Sequence, residues 1–211
     1  MRSISMKKIL VLILLIITPV ISGCTKETNM VKENISGKRA VLVIASQGFQ
    51  DFEYSETKKQ LDQAGIETIV AGSIKGEAKG KSGQRVAIKK TLEEIKQEDF
   101  DALVFIGGPG ALEYVDDPIA HQLIKQSFEQ EKLMAAICIA PEILAKAGVL
   151  KGKKATVWSS PIDQAPVEFL KENSAEYLDQ EVVQDGNVIT ANGPAAASSF
   201  GEKIVKALLL Q

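Results

Sequence analysis

The chain has 211 residues, with 25 basic against 27 acidic side chains, a formal charge of −2 and 45% hydrophobic residues. After loss of a leader this suits one domain with a sizeable core. The near balance of charge argues against a nucleic-acid binder, which would usually show a basic face.

The first segment carries Arg2, Lys7 and Lys8 ahead of the unbroken apolar run 9–17, which continues weakly through Pro19 to Ile21. The run is shorter than the roughly 20 apolar residues that span a bilayer and fits the apolar core of a signal peptide. Ile21-Ser22-Gly23-Cys24 follows, an aliphatic residue and two small residues before a cysteine. That pattern resembles a bacterial lipobox, in which the cysteine sulfur takes a diacylglycerol. The expected organisation is a signal peptide over 1–23, a lipidated Cys24 with a polar flexible tether to 38, and a folded domain over 39–211. The expected location is the extracytoplasmic side of the cell membrane, held by the lipid. The chain has two cysteines, Cys24 and Cys138. In an exported protein a disulfide is the simplest reading of two, but lipidation of Cys24 leaves Cys138 as a free thiol.

Within the domain, the continuous apolar run 40–45 predicts a strand buried on both faces. Residues 51–64 predict a helix stopped by Gly65, and 67–71 a second short strand. The Gly- and Lys-rich stretch 76–83 predicts a loop or hairpin with a short strand at 85–88, and 91–97 a helical turn or two. Residues 102–106 form the next buried strand and end in Gly107-Gly108-Pro109-Gly110. An amphipathic helix is expected over 118–130, a buried strand over 133–137 with Cys138 directly after it, and a helix over 141–147. Residues 155–158 read as strand and 166–172 as a short helix. Asp185-Gly186 makes a tight hairpin turn, and 195–210 closes the chain as an amphipathic helix. Alternating strands and helices imply a mostly parallel sheet covered on both faces. In such sheets chemistry gathers beyond the carboxyl ends of the strands, where the 107–110 loop and Cys138 both fall.

A residue between a buried strand and a helix opening at Pro141 presents its side chain over the sheet edge, as in the nucleophile elbow of hydrolases. A helix N-terminus also favours the thiolate. A buried structural cysteine explains the position equally well, and position alone does not decide between them.

The run AAICIAPEILAKAGVLKGKKATVW, 135–158, is similar to the cysteine segment of the ThiJ/PfpI family, also called the DJ-one superfamily. GFQDFEYSET, 48–57, resembles that family's first loop and helix. FIGGPG, 105–110, resembles its glycine loop, and EVVQDGNVITANGPAAASSF, 181–200, its C-terminal hairpin and last helix. The resemblance implies a flavodoxin-like α/β sandwich of the class I glutamine amidotransferase type. It implies that Cys138 is the reactive cysteine, that Glu53 is its partner carboxyl, and that the backbone N–H groups of Gly108 and Ile139 face the sulfur. It also implies a homodimer, and neither a metal nor a cofactor. A protonated Glu53 would donate to a thiolate and so favour it.

Two departures matter. Ile139 stands where many protease-like members carry a histidine, and Trp158 stands where others do. The single histidine, His121, opens a helix and lies in no matching motif. The usual base of a Cys-His pair is therefore missing, which argues against a protease. What the resemblance leaves is a cysteine-dependent hydrolase or lyase on small reactive carbonyls such as methylglyoxal. The alternatives are a non-catalytic stress protein whose Cys138 is oxidised, or a domain that binds a ligand in the same pocket.

Overall fold

The computed structural model describes residues 37–211. Cys24, the expected leader and all but the last two residues of the expected tether lie outside them. Twelve strands are present among the described residues: β1 (Arg39–Val43), β2 (Gln47–Phe49), β3 (Glu67–Gly72), β4 (Gly76–Gly80), β5 (Arg85–Ile88), β6 (Lys90–Thr91), β7 (Ala102–Phe105), β8 (Leu133–Ile137), β9 (Lys154–Ala155), β10 (Glu176–Tyr177), β11 (Val182–Asp185) and β12 (Val188–Ala191). The α-helices are α1 (Asp51–Ala64), α2 (Pro118–Glu129), α3 (Pro141–Lys146), α4 (Ala165–Glu172) and α5 (Ala197–Leu209).

Seven strands form the central sheet in the order β11-β12-β8-β7-β1-β3-β6. Every neighbouring pair is parallel except β11–β12, which is the antiparallel hairpin turned at Asp185-Gly186. The pleat divides the apolar runs between two cores. Val41 and Val43, Leu103 and Phe105, and Met134 and Ala136 face one side, where Leu123 and Ile124 of α2, Ile143 and Leu144 of α3, and Val167 and Leu170 of α4 cover them. Leu42 and Ile44, Val104 and Ile106, and Ala135 and Ile137 face the other, against Tyr54 and Leu61 of α1 and Phe200 and Ile204 of α5. Burial on both faces is why these strands are apolar without alternation. Each fully buried Val, Leu, Ile or Phe side chain contributes about 1.5–3 kcal/mol.

The fold is thus the expected α/β sandwich. The 155–158 strand shrinks to β9, which pairs with β10 outside the central sheet. The 91–97 segment becomes two 3₁₀ turns, Leu92–Glu94 and Gln97–Asp99. A separate small sheet, β2-β4-β5, stands beside the carboxyl ends of the central strands; β2 pairs with β4 in parallel and β4 with β5 as a hairpin.

Candidate active site

Cys138 follows the last residue of β8, with φ of +63°. A non-glycine residue in that region costs of order 1–3 kcal/mol and persists only where its surroundings fix it. They do here. The Cys138 amide donates to the Ala191 carbonyl at the end of β12 (2.9 Å), and the Cys138 carbonyl accepts from the Trp158 amide (2.8 Å). Ala140 then donates to the Ile137 carbonyl (3.1 Å) and Glu142 to the Ile139 carbonyl (3.1 Å), turning the chain into α3. The strand-to-helix elbow expected from the sequence is present. The helix after it has only six residues.

Glu53 sits in the first turn of α1 with no exposed surface. The Gln50 side chain caps the helix by accepting from the Glu53 amide (2.8 Å), and the Gln50 amide donates to the Gly107 carbonyl (2.8 Å). The Gly107 amide in turn donates to Glu53 Oε2 (3.1 Å). Glu53 Oε1 is buried with no hydrogen-bond partner among the described residues, while the same carboxyl shares a hydrogen bond with the Cys138 side chain. The spacer between the two is Gly107. A Cβ there would stand 2.5 Å from Cys138 Cβ and 2.7 Å from Glu53 Oε2. The sequence marks Gly107 only as turn chemistry; its role as the gap that lets acid and thiol meet was not legible.

Burial pushes the Glu53 carboxyl up to about 7, against the opposing pull of the Cys138 hydrogen bond, the Gly107 amide and the Lys81 charge. Burial, and then the negative charge of Glu53, pushes the Cys138 thiol up to about 12; the backbone amides of Gly108 and Ile139 pull it down. These are the two amides named from the resemblance, and both line the cavity with Cys138. Beside an ionised Glu53, burial and like charge outweigh the expected gain from a helix N-terminus. The physical content is that the pair holds one negative charge between them. A proton on Glu53 lets the sulfur carry it, and a proton on sulfur lets Glu53 carry it.

The sulfur opens into a cavity of about 380 Å³ lined by Gln50, Lys81, Gly108, Pro109, Cys138, Ile139, Trp158 and Pro194. Trp158 thus forms a wall of the site rather than core. His121 does not line it; its Nε2 is 2.7 Å from the Val115 carbonyl oxygen, at the start of α2. Sequence reasoning missed Gln50 and Lys81, whose side chains reach the cavity from a helix cap and a hairpin turn that carry no motif.

A solved ThiJ/PfpI domain protein from Brachyspira murdochii superposes with a TM-score of 0.78 and 33% identity over 83% of this chain and 99% of that one. Drosophila melanogaster DJ-1beta superposes with a TM-score of 0.73 and 31% identity, covering 82% and 91%. In sequence, a deglycase of Thermococcus kodakarensis is 34% identical over 80% of this chain and 98% of its own length. A glutathione-independent glyoxalase of Caenorhabditis elegans is 29% identical over 81% and 89%. An uncharacterized protein of Methanocaldococcus jannaschii is 37% identical over 202 residues, 95% of this chain and 97% of its own, so that likeness reaches into the segment before residue 37. The DJ-1/PfpI family model matches residues 38–207, and the chain belongs to that family.

Proposed function

We propose that this chain is a cysteine-dependent enzyme acting on small reactive carbonyls, in the manner of a glyoxalase or deglycase. The observation that carries the reading is the Cys138–Glu53 pair, closed by Gly107 and faced by two backbone donors. The names of the deglycase and glyoxalase relatives support it. Sγ, with its proton held on Glu53, adds to the carbonyl carbon of the substrate. The carbonyl oxygen gains negative charge as its π bond breaks, and the amides of Gly108 and Ile139 are placed to receive it. Glu53 then moves the proton. Residues 24–38 tether the domain to the membrane through a diacylglycerol on Cys24; the support is the order of basic residues, apolar run and small residues before Cys24. The deciding experiment is steady-state loss of methylglyoxal with wild type and Cys138→Ser. The expected result is turnover by wild type alone. Equal rates for the two would overturn the reading.

A second reading is a redox-responsive protein whose Cys138 is oxidised by peroxide to the sulfinic acid. No imidazole lines the cavity, and two backbone donors would serve a sulfinate oxygen as well as an oxyanion. Intact mass after mild hydrogen peroxide, with gain of two oxygens on Cys138 and no methylglyoxal turnover, selects this reading over the first.

A further inference from the structure

Among the described residues, the cavity over Cys138 carries one exposed charge, and it is positive. Lys81 is exposed at the mouth, and its ammonium has no carboxylate partner among the described residues. Lys58, Lys59, Lys75 and Lys90, by contrast, each pair with one. The two nearest acids are engaged elsewhere. Asp51 accepts from the amides of Ser82 and Gln84, each at 2.8 Å, and Glu53 faces Gly107 and Cys138 behind the cavity wall.

The backbone beneath Lys81 is fixed. Its amide donates to the Phe49 carbonyl (2.8 Å), and the Gly80 amide donates to the Gln84 carbonyl (2.8 Å) across the β4–β5 turn. Asp51 caps the same turn from the start of α1, and a side chain at Gly80 would collide with that carboxylate. The hairpin therefore cannot swing away without breaking its bonds to Asp51. A second donor stands on the same cavity. Gln50 commits its Oε1 to the Glu53 amide, and its Nε2 has no partner among the described residues. The remaining walls, Pro109, Ile139, Trp158 and Pro194, are uncharged.

From this arrangement we infer that the Cys138 site selects carbonyl compounds that carry a carboxylate: Lys81 and Gln50 Nε2 hold the carboxylate while the carbonyl carbon meets Sγ. The inference rests on Cys138 being the reactive centre of the proposed function and names its substrate class. A neutral aldehyde leaves both donors idle. An anion takes up a cation that also offsets the repulsion between its own charge and the charge shared by Cys138 and Glu53. Two donors lining one cavity match the two oxygens of a carboxylate. The covalent step balances without a co-reactant. The S–C bond forms, the carbonyl π bond breaks, the thiol proton passes to the carbonyl oxygen, and nothing is oxidised or reduced.

The test compares iodoacetate with iodoacetamide on the full chain. Rates are read on the Cys138-bearing peptide so that Cys24 does not contribute. Wild type, Lys81→Gln and Lys81→Arg are compared, and thermal unfolding checks that all three fold. The iodoacetate-to-iodoacetamide rate ratio is expected to fall about fivefold in Lys81→Gln and to return in Lys81→Arg, with iodoacetamide itself little changed. Glyoxylate should protect Cys138 from iodoacetamide in wild type at concentrations that leave Lys81→Gln unprotected. The same ratio in wild type and Lys81→Gln overturns the inference. Inorganic phosphate that abolishes glyoxylate protection at equal concentration overturns the assignment to a carboxylate. Absence of methylglyoxal turnover together with the expected fall in the ratio overturns the proposed turnover, while the anion preference of the Cys138 site stands. A Cys138 that reacts with neither reagent overturns both.

Discussion

The Glu53 carboxyl accepts from the Gly107 amide through Oε2 at 3.1 Å and shares a hydrogen bond with the Cys138 side chain. The acid is thereby oriented by backbone and placed to exchange a proton with sulfur.

Cys138 alkylation in wild type should rise with pH in two steps. The first falls near 7, as the pair loses its first proton, and the second lies far above it, when both groups must be ionised. Glu53→Gln removes the shared proton and the like charge together. It should show a single step at higher pH than the first wild-type one, and be slower than wild type around pH 7. Rate against pH for both proteins, with folding followed by circular dichroism, decides this. Superimposable profiles would mean that Glu53 does not act on the sulfur.

Gly107→Ala places a methyl group between thiol and carboxyl, at 2.5 Å from Cys138 Cβ. Overpacking of this kind costs about 1–3 kcal/mol. The expected outcome is a folded protein with a lowered midpoint in urea and loss of the first alkylation step. Retention of both steps would show that the pair tolerates separation.

Glu142 is buried at the start of α3, and its carboxyl is lifted to about 7 by burial and then by the Asp163 charge. The folded value lies above the unfolded one of about 4.5, so the unfolded chain loses this proton first. Stability falls as pH rises from about 4.5 to 7 and is flat above. Glu142→Gln should flatten that slope and stabilise the protein by about 1–3 kcal/mol at pH 8. Urea unfolding at pH 5 and pH 8 measures it. An unchanged slope would show that Glu142 is not held neutral.

His121→Ala should leave any turnover within a few-fold of wild type, because its imidazole is engaged with the Val115 carbonyl away from the cavity. A hundredfold loss, the low end of what a general base contributes, would place it in the chemistry.

Detergent phase partitioning should send wild type to the detergent phase and Cys24→Ser to the aqueous phase. A diacyl anchor contributes about 0.8 kcal/mol for each buried CH₂. If both partition to the aqueous phase, the lipid reading fails.

What was legible in the sequence follows from how local each signal is. The helix 51–64 and the strand 133–137 appear with the expected bounds, since a capped polar helix and a doubly buried strand each write their own pattern. Cys138 and the glycine loop were placed at strand ends by the same logic. β2, β6 and β10 were not expected. They are two or three residues long, and their pairing partners lie far along the chain. Residues 155–158 read as strand, but only Lys154 and Ala155 find a strand partner. Glu53 was accessible only through resemblance, because a carboxylate in a helix first turn is ordinarily solvated. Gly107 and Lys81 act through distances across the fold, which no spacing along the chain records.

The β2-β4-β5 sheet stands apart from the seven central strands, and its hairpin is fastened through Asp51 to the start of α1. The wall that meets a substrate can therefore vary while the elbow, the acid and both cores stay as they are. A substitution at residue 81, the one member of this turn that lines the cavity, would retune what enters while the amides of Ser82 and Gln84 keep their hold on Asp51. A lineage could exchange one small molecule for another by editing a single turn position.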